Sequence, residues 1–385
     1  MTDTAISARF DIRPVVTKRE LKAFIRMPYA LYADDPNYVA PLEFELTARL
    51  DPTKNPGLKG APHQLWVAYQ NGEAVGRISA LVNPAHLDKY NDGAGHFGFI
   101  EAIDDGELFD ALIATASTWL REQGMTKIVG PFNFSVSEEC GLLIDGFDTP
   151  PYIMMPHGKP YYQGHFERLG FSKAVDMYAL EWLPVREFIP EKRLRFVEKV
   201  LSRGDVEIRS LNTKDFLGDI RIIIDIYNDA WADNWGALPF EEEHVRHMAS
   251  ELKPIIQPHN VVICYYNGEP AAYGLVLPNI NHVIRDFGGK LLPFNWIKFL
   301  WHLKVKGIPQ SRMPLMGVRK SLQKKPAGAA FAYKMIDIVN SSNIDHGVTH
   351  SECSWILENN ESMLTMLLDM GSRIYKTYRI YERPL

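Results

Sequence analysis

Residues 65–82 and again 261–277 are each a pair of apolar runs separated by polar residues, at Asn71-Gly72 and at Asn267-Gly268. Asn-Gly between two apolar runs is the pair that a type I′ turn favours, because both central residues need positive φ, so each segment reads as a β-hairpin. Each hairpin is preceded by the same approach. A short strand lies around Ile12 or Ile208, followed by a helix beginning near Thr17 or Thr213, where the hydroxyl can cap the first turn. After the first hairpin the pattern gives a strand over 96–103 and a helix opened by Asp105. Leu108, Leu112, Ala116, Trp119 and Leu120 share one face of that helix, and Gly124 stands past its end. A strand over 127–130, a short helix over 161–169 and a strand over 173–182 follow. After the second hairpin come a strand at 315–318, a helix over about 327–340, a strand over 349–357, a helix over 360–370 and a strand over 374–382. The stretch 34–62, dense in Pro, Asn and Gly, reads as a surface loop, and 184–192 as a linker.

The two series are one series written twice. Ile12-Arg13 recurs as Ile208-Arg209, Thr17-Lys18 as Thr213-Lys214, Asn71-Gly72-Glu73 as Asn267-Gly268-Glu269 and Asn83 as Asn279, always at an offset of 196. An ungapped offset held over some seventy positions is the mark of a duplicated domain. Strands alternating with helices in each copy predict an α/β (α+β) fold, and the second copy carries an insert of about 25–30 residues between its hairpin and its next strand.

Composition adds limits to this picture. A chain of 385 residues divides naturally into domains at 1–183 and 184–385, each large enough for its own core. A formal net charge of −5 argues against a general nucleic-acid binder. Cys140, Cys264 and Cys353 are few, odd in number and far apart, which indicates neither a disulfide framework nor a metal site, and fits a reducing cytoplasm. The sequence shows no apolar stretch of signal-peptide or membrane-spanning length.

Local charge is less even than the total. From Phe287 to Ile336 there is no Asp or Glu, against ten Lys or Arg residues. Within that window, Val318, Arg319, Lys320, Lys324 and Lys325 lead from a strand into the small residues Gly328, Ala329 and Ala330, which open a helix. Free N–H groups and the helix dipole favour an anion there, and small side chains let a phosphate approach the backbone. The matching turn of the first copy holds Glu101, Asp104, Asp105 and Glu107, which would repel a polyphosphate. The contrast assigns cofactor binding to the second domain alone. Between 130 and 140 the first copy instead offers Asn133, Ser135, Glu138 and Glu139, with His157 and Tyr161 further on, a set able to bind a polar acceptor.

These parts in this order resemble the GCN5-related N-acetyltransferase (GNAT) superfamily. Lys325-x-x-Gly328-x-Ala330 is similar to that family's pyrophosphate loop, with Lys in place of Arg or Gln at the first position. The run from Trp355 through Asn360 and Gly371 to Tyr381 resembles its last helix and strand, as does 161–178 in the first copy. The resemblance implies two tandem GNAT-like domains, each a mixed, mostly antiparallel, splayed sheet flanked by helices. It implies acetyl-CoA or another acyl-CoA held by residues 318–330 and Asn360 of the second. The family's usual acid, a Tyr seven residues after the helix Asn, is absent: Leu367 stands there, and Phe166 in the first copy. Proton transfer is then expected of Glu352 or Glu358 as base and of Tyr378, Tyr381 or solvent as acid.

The expectation is a cytoplasmic, metal-free N-acyltransferase, transferring acetyl to a primary amine of a small-molecule or peptide acceptor. The alternatives are a non-catalytic CoA-binding or interaction protein and an aminoacyl-tRNA-dependent transferase, the latter disfavoured by the net charge. The basic and aromatic helix pattern over 294–306 suits a membrane surface, a dock on the first domain or a lid over the cleft.

Overall fold

The computed structural model describes residues 9–135 and 138–385 and divides the chain into two compact units. The first holds the chain up to Met177 together with Ile284–Asn295 and Lys376–Leu385, and the second holds Tyr178–Val283 and Trp296–Tyr375.

In chain order the first repeat forms β1 (Asp11–Pro14), α1 (Lys18–Leu31), α2 (Glu43–Arg49), β2 (His63–Gln70), β3 (Glu73–Leu81), α3 (Pro84–Tyr90), β4 (Ala94–Ala102), α4 (Gly106–Glu122), β5 (Lys127–Gly130), β6 (Leu142–Asp145), α5 (Tyr162–Arg168) and β7 (Ser172–Trp182). The second forms α6 (Glu191–Leu201), β8 (Val206–Ser210), α7 (Phe216–Ala230), α8 (Glu242–Leu252), β9 (Val261–Tyr266), β10 (Glu269–Pro278), α9 (Asn281–Ile284), α10 (Asn295–Trp301), β11 (Gln310–Val318), α11 (Lys320–Gln323), α12 (Pro326–Asp345), β12 (His350–Leu357), α13 (Glu361–Asp369) and β13 (Arg373–Pro384).

The duplication is preserved in hydrogen-bond register. Ile12 faces Ala68 and Ile208 faces Cys264; Trp66 faces Ile78 and Val262 faces Gly274, each pair displaced by the same 196 positions. Both hairpins turn on Asn and Gly at positive φ, Asn71 (51°) with Gly72 (86°) and Asn267 (53°) with Gly268 (82°), as a type I′ turn requires. In each unit three antiparallel pairings are followed by one parallel pairing: β1-β2-β3-β4 then β5, and β8-β9-β10-β11 then β12. Residues of β13 from Thr377 onward lie in the first unit, antiparallel to β5 and β6.

Local signals account for most of the elements. Thr17 accepts from Glu20 N while Glu20 reaches back to Thr17 N, a complete capping box, and Asp105 accepts from the N–H groups of Glu107 and Leu108. The second repeat departs from its counterpart here. Thr213 does not cap α7; it sits in a 3₁₀ turn, and Asp215 accepts from Gly218 N, so the helix starts later. The stretch 34–62 is not all loop, since it contains α2, whose entry at Leu42 has no side-chain cap to announce it. The linker gives way to α6 at Glu191.

Each unit has its own apolar core. In the first, Leu108, Leu112, Ala116 and Leu120 of α4 pack on Ile78 and Phe97. In the second, Phe331, Met335 and Val339 of α12 pack with Val262, Ala272 and Met313, and Leu180 and Trp182 of β7 join them. Part of the insert belongs to the first unit: Glu43 N donates to Gly289 O at 2.9 Å. Among the described residues no helix is long and apolar enough to cross a membrane.

Candidate functional site

In the second unit the parallel pairing of β11 with β12 runs from Gln310↔His350 to Met313↔Cys353 and stops there, although β11 continues to Val318 and β12 to Leu357. Two central strands that pair at one end and part at the other leave a wedge. Pro314, Leu315 and Met316 stay partly exposed in the middle of the sheet, and the carbonyl of Met316 accepts from the Trp231 indole at 3.1 Å.

Polar side chains are buried at the fork. Arg312 and Glu352 are cross-strand neighbours, 1% and 0% exposed, with the guanidinium Nε 3.4 Å from Glu352 Oε1. Arg312 Nε also donates to Ser354 Oγ at 2.7 Å, Ser354 Oγ donates to Glu352 Oε1 at 2.5 Å, and the Tyr375 hydroxyl donates to Oε2 of the same carboxylate. A charge pair taken out of water is tolerated when its lone pairs and protons are satisfied in this way. Cys353, beside it, has its thiol pushed up to about 12 by burial, which makes it an inert core residue.

Beyond the wedge, β11 hands over through α11 to α12. Pro326 occupies the first turn and no side chain caps the helix, although Gly328 N already donates to Lys325 O at 3.0 Å. A Cβ at Gly328 would stand 2.3 Å from Leu322 O, so only glycine allows this tight turn. Ala329 and Tyr333 of α12 face Glu361, Ser362 and Thr365 of α13 across an open cleft of about 450 Å³.

The first unit has a comparable fork, but it is filled. Pairing of β4 with β5 runs from Ala94↔Lys127 to His96↔Val129, and the chain after β5 stays against β4, so no gap opens. Phe132 N donates to Phe97 O at 2.7 Å, Phe99 N donates to Asn133 Oδ1 at 2.7 Å, and a Cβ on Gly98 would lie 1.6 Å from Phe132 O.

Beside this plug lies a compact polar pocket. The hydroxyls of Tyr32 and Tyr162 donate to Glu101 Oε2 at 2.7 and 2.6 Å, and Arg77 stands 3.9 Å from Oε1. Burial raises Glu101 above the usual carboxylate range, against the pull of Arg77. Glu139 accepts from Arg49 at 3.2 Å and from Asn133 at 3.0 Å; burial works against its charge, but these donors hold it below its ordinary value. Glu138 is pushed up to about 8 by burial, which outweighs the pull of Arg49 and a hydrogen bond from Asn55. His157, held neutral by burial, contacts Asp35 at 3.1 Å and lines the pocket.

Over 382 residues the chain is 41% identical to the bacterial ceramide synthase of Caulobacter vibrioides, covering 98% of both chains. It is also 41% identical over 375 residues to protein YghO of Escherichia coli, covering 97% of this chain and 95% of that protein. It belongs to the family of these two proteins. No family model matches the chain. The fold is that of tandem GNAT proteins. A tandem GNAT protein from the clavulanic acid biosynthesis pathway superposes with a TM-score of 0.54 at 12% identity, covering 97% of this chain and 98% of that one. A GCN5-related N-acetyltransferase from Sphaerobacter thermophilus gives 0.54 at 12%, covering 98% and 96%. The chain thus has the tandem GNAT fold.

The residues singled out in the sequence fall into three groups. Lys324 and Lys325 are exposed at the α12 N-terminus, Ala329 lines the cleft, Ala330 faces the core, and Asn360 caps α13 by accepting from Met363 N. Val318 ends β11, but Arg319 and Lys320 are tied back. Arg319 pairs with Asp225, Lys320 N donates to Asp229 at 2.8 Å and its ammonium meets Asp233 at 2.6 Å. The basic window is therefore partly neutralised in space by α7 and the turn after it. Glu358 is partly exposed at the end of β12, Glu352 is locked at the fork, and Tyr378 is buried in the first unit, opposite Leu143. Asn133 donates to Glu139 at 3.0 Å, Ser135 and Glu138 lie between them in the chain, and Tyr161 donates to Ala102 O at 2.7 Å. Val136 and Ser137, inside the same stretch, lie outside the described residues. Sequence reasoning missed Arg312, Tyr375, Arg77, Tyr32 and Tyr162. The available signal was the strand register that sets Arg312 beside Glu352.

Proposed function

We propose that this protein is an acyl-CoA-dependent N-acyltransferase whose donor carries a long acyl chain and whose acceptor is a long-chain amino alcohol, so that the product is a ceramide-like amide. The reading is carried by the 41% identity across 98% of both chains with a bacterial ceramide synthase. It replaces the acetyl group expected from the superfamily resemblance with a longer one.

The second unit suits the donor. The uncapped α12 N-terminus with Lys324 and Lys325 would hold the diphosphate, and the small side chain of Ala329, which lines the cleft, leaves room for it. The parting of β11 and β12, with Pro314 to Met316 accessible, gives the pantetheine arm exposed strand backbone to run along. A bound acyl-CoA supplies an activated thioester, whose C–S bond is exchanged for an N–C bond with release of free thiol. Glu358, accessible at the end of β12, takes the proton that the attacking nitrogen loses. Glu352 acts differently. Saturated by Arg312, Ser354 and Tyr375, it pins the two strands at the point from which they diverge. Holding the reactants in register is a large part of acyl transfer, so a rigid fork matters even without proton transfer.

The first unit suits the acceptor's head. Its pocket is lined by Glu101, Glu139, Asn133, Arg77 and Tyr162, polar groups that would hydrogen-bond the amine and hydroxyl of such a head.

The test is a coupled assay of thiol release and amide formation with a C16 acyl-CoA, acetyl-CoA and a C18 amino alcohol. Amide and thiol should appear in equal amounts with the long-chain donor. Glu358→Gln should lower kcat by about a hundredfold, in the range for loss of a general base, with little change in the donor KM. Absence of thiol release with every donor, together with no heat of CoA binding, would refute the reading. Faster turnover of acetyl-CoA would restore the shorter group.

A further inference from the structure

The helical run from Asn295 to Lys306, α10 and the wider π turn that extends it, is built inside out. Trp296, Ile297, Leu300, Trp301 and Val305 are 43, 52, 43, 55 and 63% exposed, whereas Phe299, His302 and Leu303 are half-buried. At about 100° per residue the five exposed apolar side chains cover roughly half the circumference, one contiguous strip. Leu292 and Phe294, just before it in the chain, are 72 and 74% exposed. Among the described residues, seven of the fourteen exposed large hydrophobics fall between 292 and 305, and the others are scattered in ones and twos. Soluble proteins rarely leave such a strip to water.

Charge selects what covers it. Lys298, Lys304 and Lys306 are exposed along the same run, and no Asp or Glu occurs from Phe287 to Ile336. A second copy docked on this face would set lysines against lysines. An anionic bilayer offers both requirements at once, an apolar layer for the strip and phosphates for the ammonium groups, and tryptophan favours the headgroup boundary.

We propose that residues 296–306 are an interfacial anchor that lies in the surface of an anionic lipid bilayer, with Trp296, Leu300 and Trp301 among the headgroups and Lys298, Lys304 and Lys306 against lipid phosphates. The anchor brings the protein to the phase in which a long-chain amine resides, so its purpose rests on the proposed function, but its existence does not.

Co-sedimentation of the full chain with vesicles tests it. Binding to equimolar phosphatidylglycerol and phosphatidylcholine at 0.1 M salt should exceed binding to phosphatidylcholine alone by at least tenfold and should fall with added salt. The triple change Lys298→Gln, Lys304→Gln, Lys306→Gln should cost on the order of a hundredfold in partitioning, at roughly a factor of five per lysine. Trp296→Ser with Trp301→Ser should abolish binding without moving the melting temperature. With acceptor embedded in anionic vesicles both variants should lose turnover, and with acceptor in neutral detergent both should match the parent. Vesicle binding indifferent to lipid charge or to either variant would overturn the anchor, as would a dimer in light scattering that the tryptophan changes dissolve. Turnover absent in detergent for the parent as well would count against the proposed function and leave the vesicle result standing.

Discussion

The two forks of this duplicated fold began with the same plan and now do opposite things with it. In the first unit, the β4–β5 ladder ends at His96↔Val129, but residues 130–133 run on against β4, where Phe132 N donates to Phe97 O, and Phe97, Phe99 and Ile100 are buried. In the second, β11 and β12 part after Met313↔Cys353, and the matching residues of β11, Pro314 to Met316, remain accessible. The cost of an open fork falls on its base. There the second unit places a buried pair, Arg312 and Glu352, cross-linked by Ser354 and Tyr375, where the first needs only His96, whose pKa burial lowers to about 3 and so keeps neutral. A duplicated sheet can thus keep one copy for a ligand by stuffing the other with its own backbone.

The plug is the part most easily broken. Gly98→Ala would force a methyl group to within 1.6 Å of Phe132 O, a backbone atom that has no rotamer to escape into. Overpacking of a core typically costs 1–3 kcal/mol, and a clash with main chain belongs at or above the top of that range. A loss of about 3 kcal/mol or more in urea unfolding is expected. The matching β11 position is Leu315, which already carries a side chain. If Gly98→Ala melts with the parent, the first fork is not filled and the contrast fails.

The second difference is electrostatic and reads out through pH. Arg312 satisfies Glu352, but at Glu138 burial outweighs the pull of Arg49 and pushes it up to about 8. A carboxylic acid raised on folding holds its proton more tightly folded than unfolded. Its contribution to stability is therefore intact below the unfolded value near 4.3 and is lost as pH rises toward about 8. Glu138→Gln should remove that slope. Allowing for partial exposure, the variant should gain about 2 kcal/mol on the parent between pH 5 and pH 8. Parallel stability curves for the two proteins would show that Glu138 is solvated.

What could be read from the chain, and what could not, follows the range of the interactions. The Asn71-Gly72 and Asn267-Gly268 turns, the Thr17 and Asp105 caps and the 196-residue offset are local or periodic signals, and the structure reproduces them down to register. Helix α2 was invisible because Leu42 cannot cap it and its surroundings are rich in turn residues. Arg312 looked like one more cation in a basic window, since nothing nearby in sequence shows that it will be buried against a glutamate forty residues on. The plug escaped notice for the same reason: Phe132 pairs with Phe97 only once the two strands lie side by side. Site chemistry is the part of the fold made by such distant partners.

The smallest expected effect separates the cations at the second fork. Arg319 and Lys320 are engaged by Asp225, Asp229 and Asp233, whereas Lys324 and Lys325 stand exposed at an uncapped helix start. A lysine near a helix-bound diphosphate contributes an exposed, screened interaction of about 0.5–1 kcal/mol, or a two- to fivefold change in affinity. Lys324→Ala with Lys325→Ala should therefore raise the acyl-CoA KM about tenfold and leave kcat unchanged, because the diphosphate is remote from the reacting carbonyl and is held equally before and during the reaction. The increase should shrink at 0.5 M salt, where exposed charges are screened within a few ångströms. Arg319→Ala should behave otherwise, lowering the melting temperature by releasing Asp225 and the Pro270 carbonyl while shifting KM less than the lysine pair does. Steady-state kinetics at two ionic strengths distinguishes the two. A KM unmoved by the lysine changes would mean that the fork is open for some ligand other than a coenzyme bearing a diphosphate.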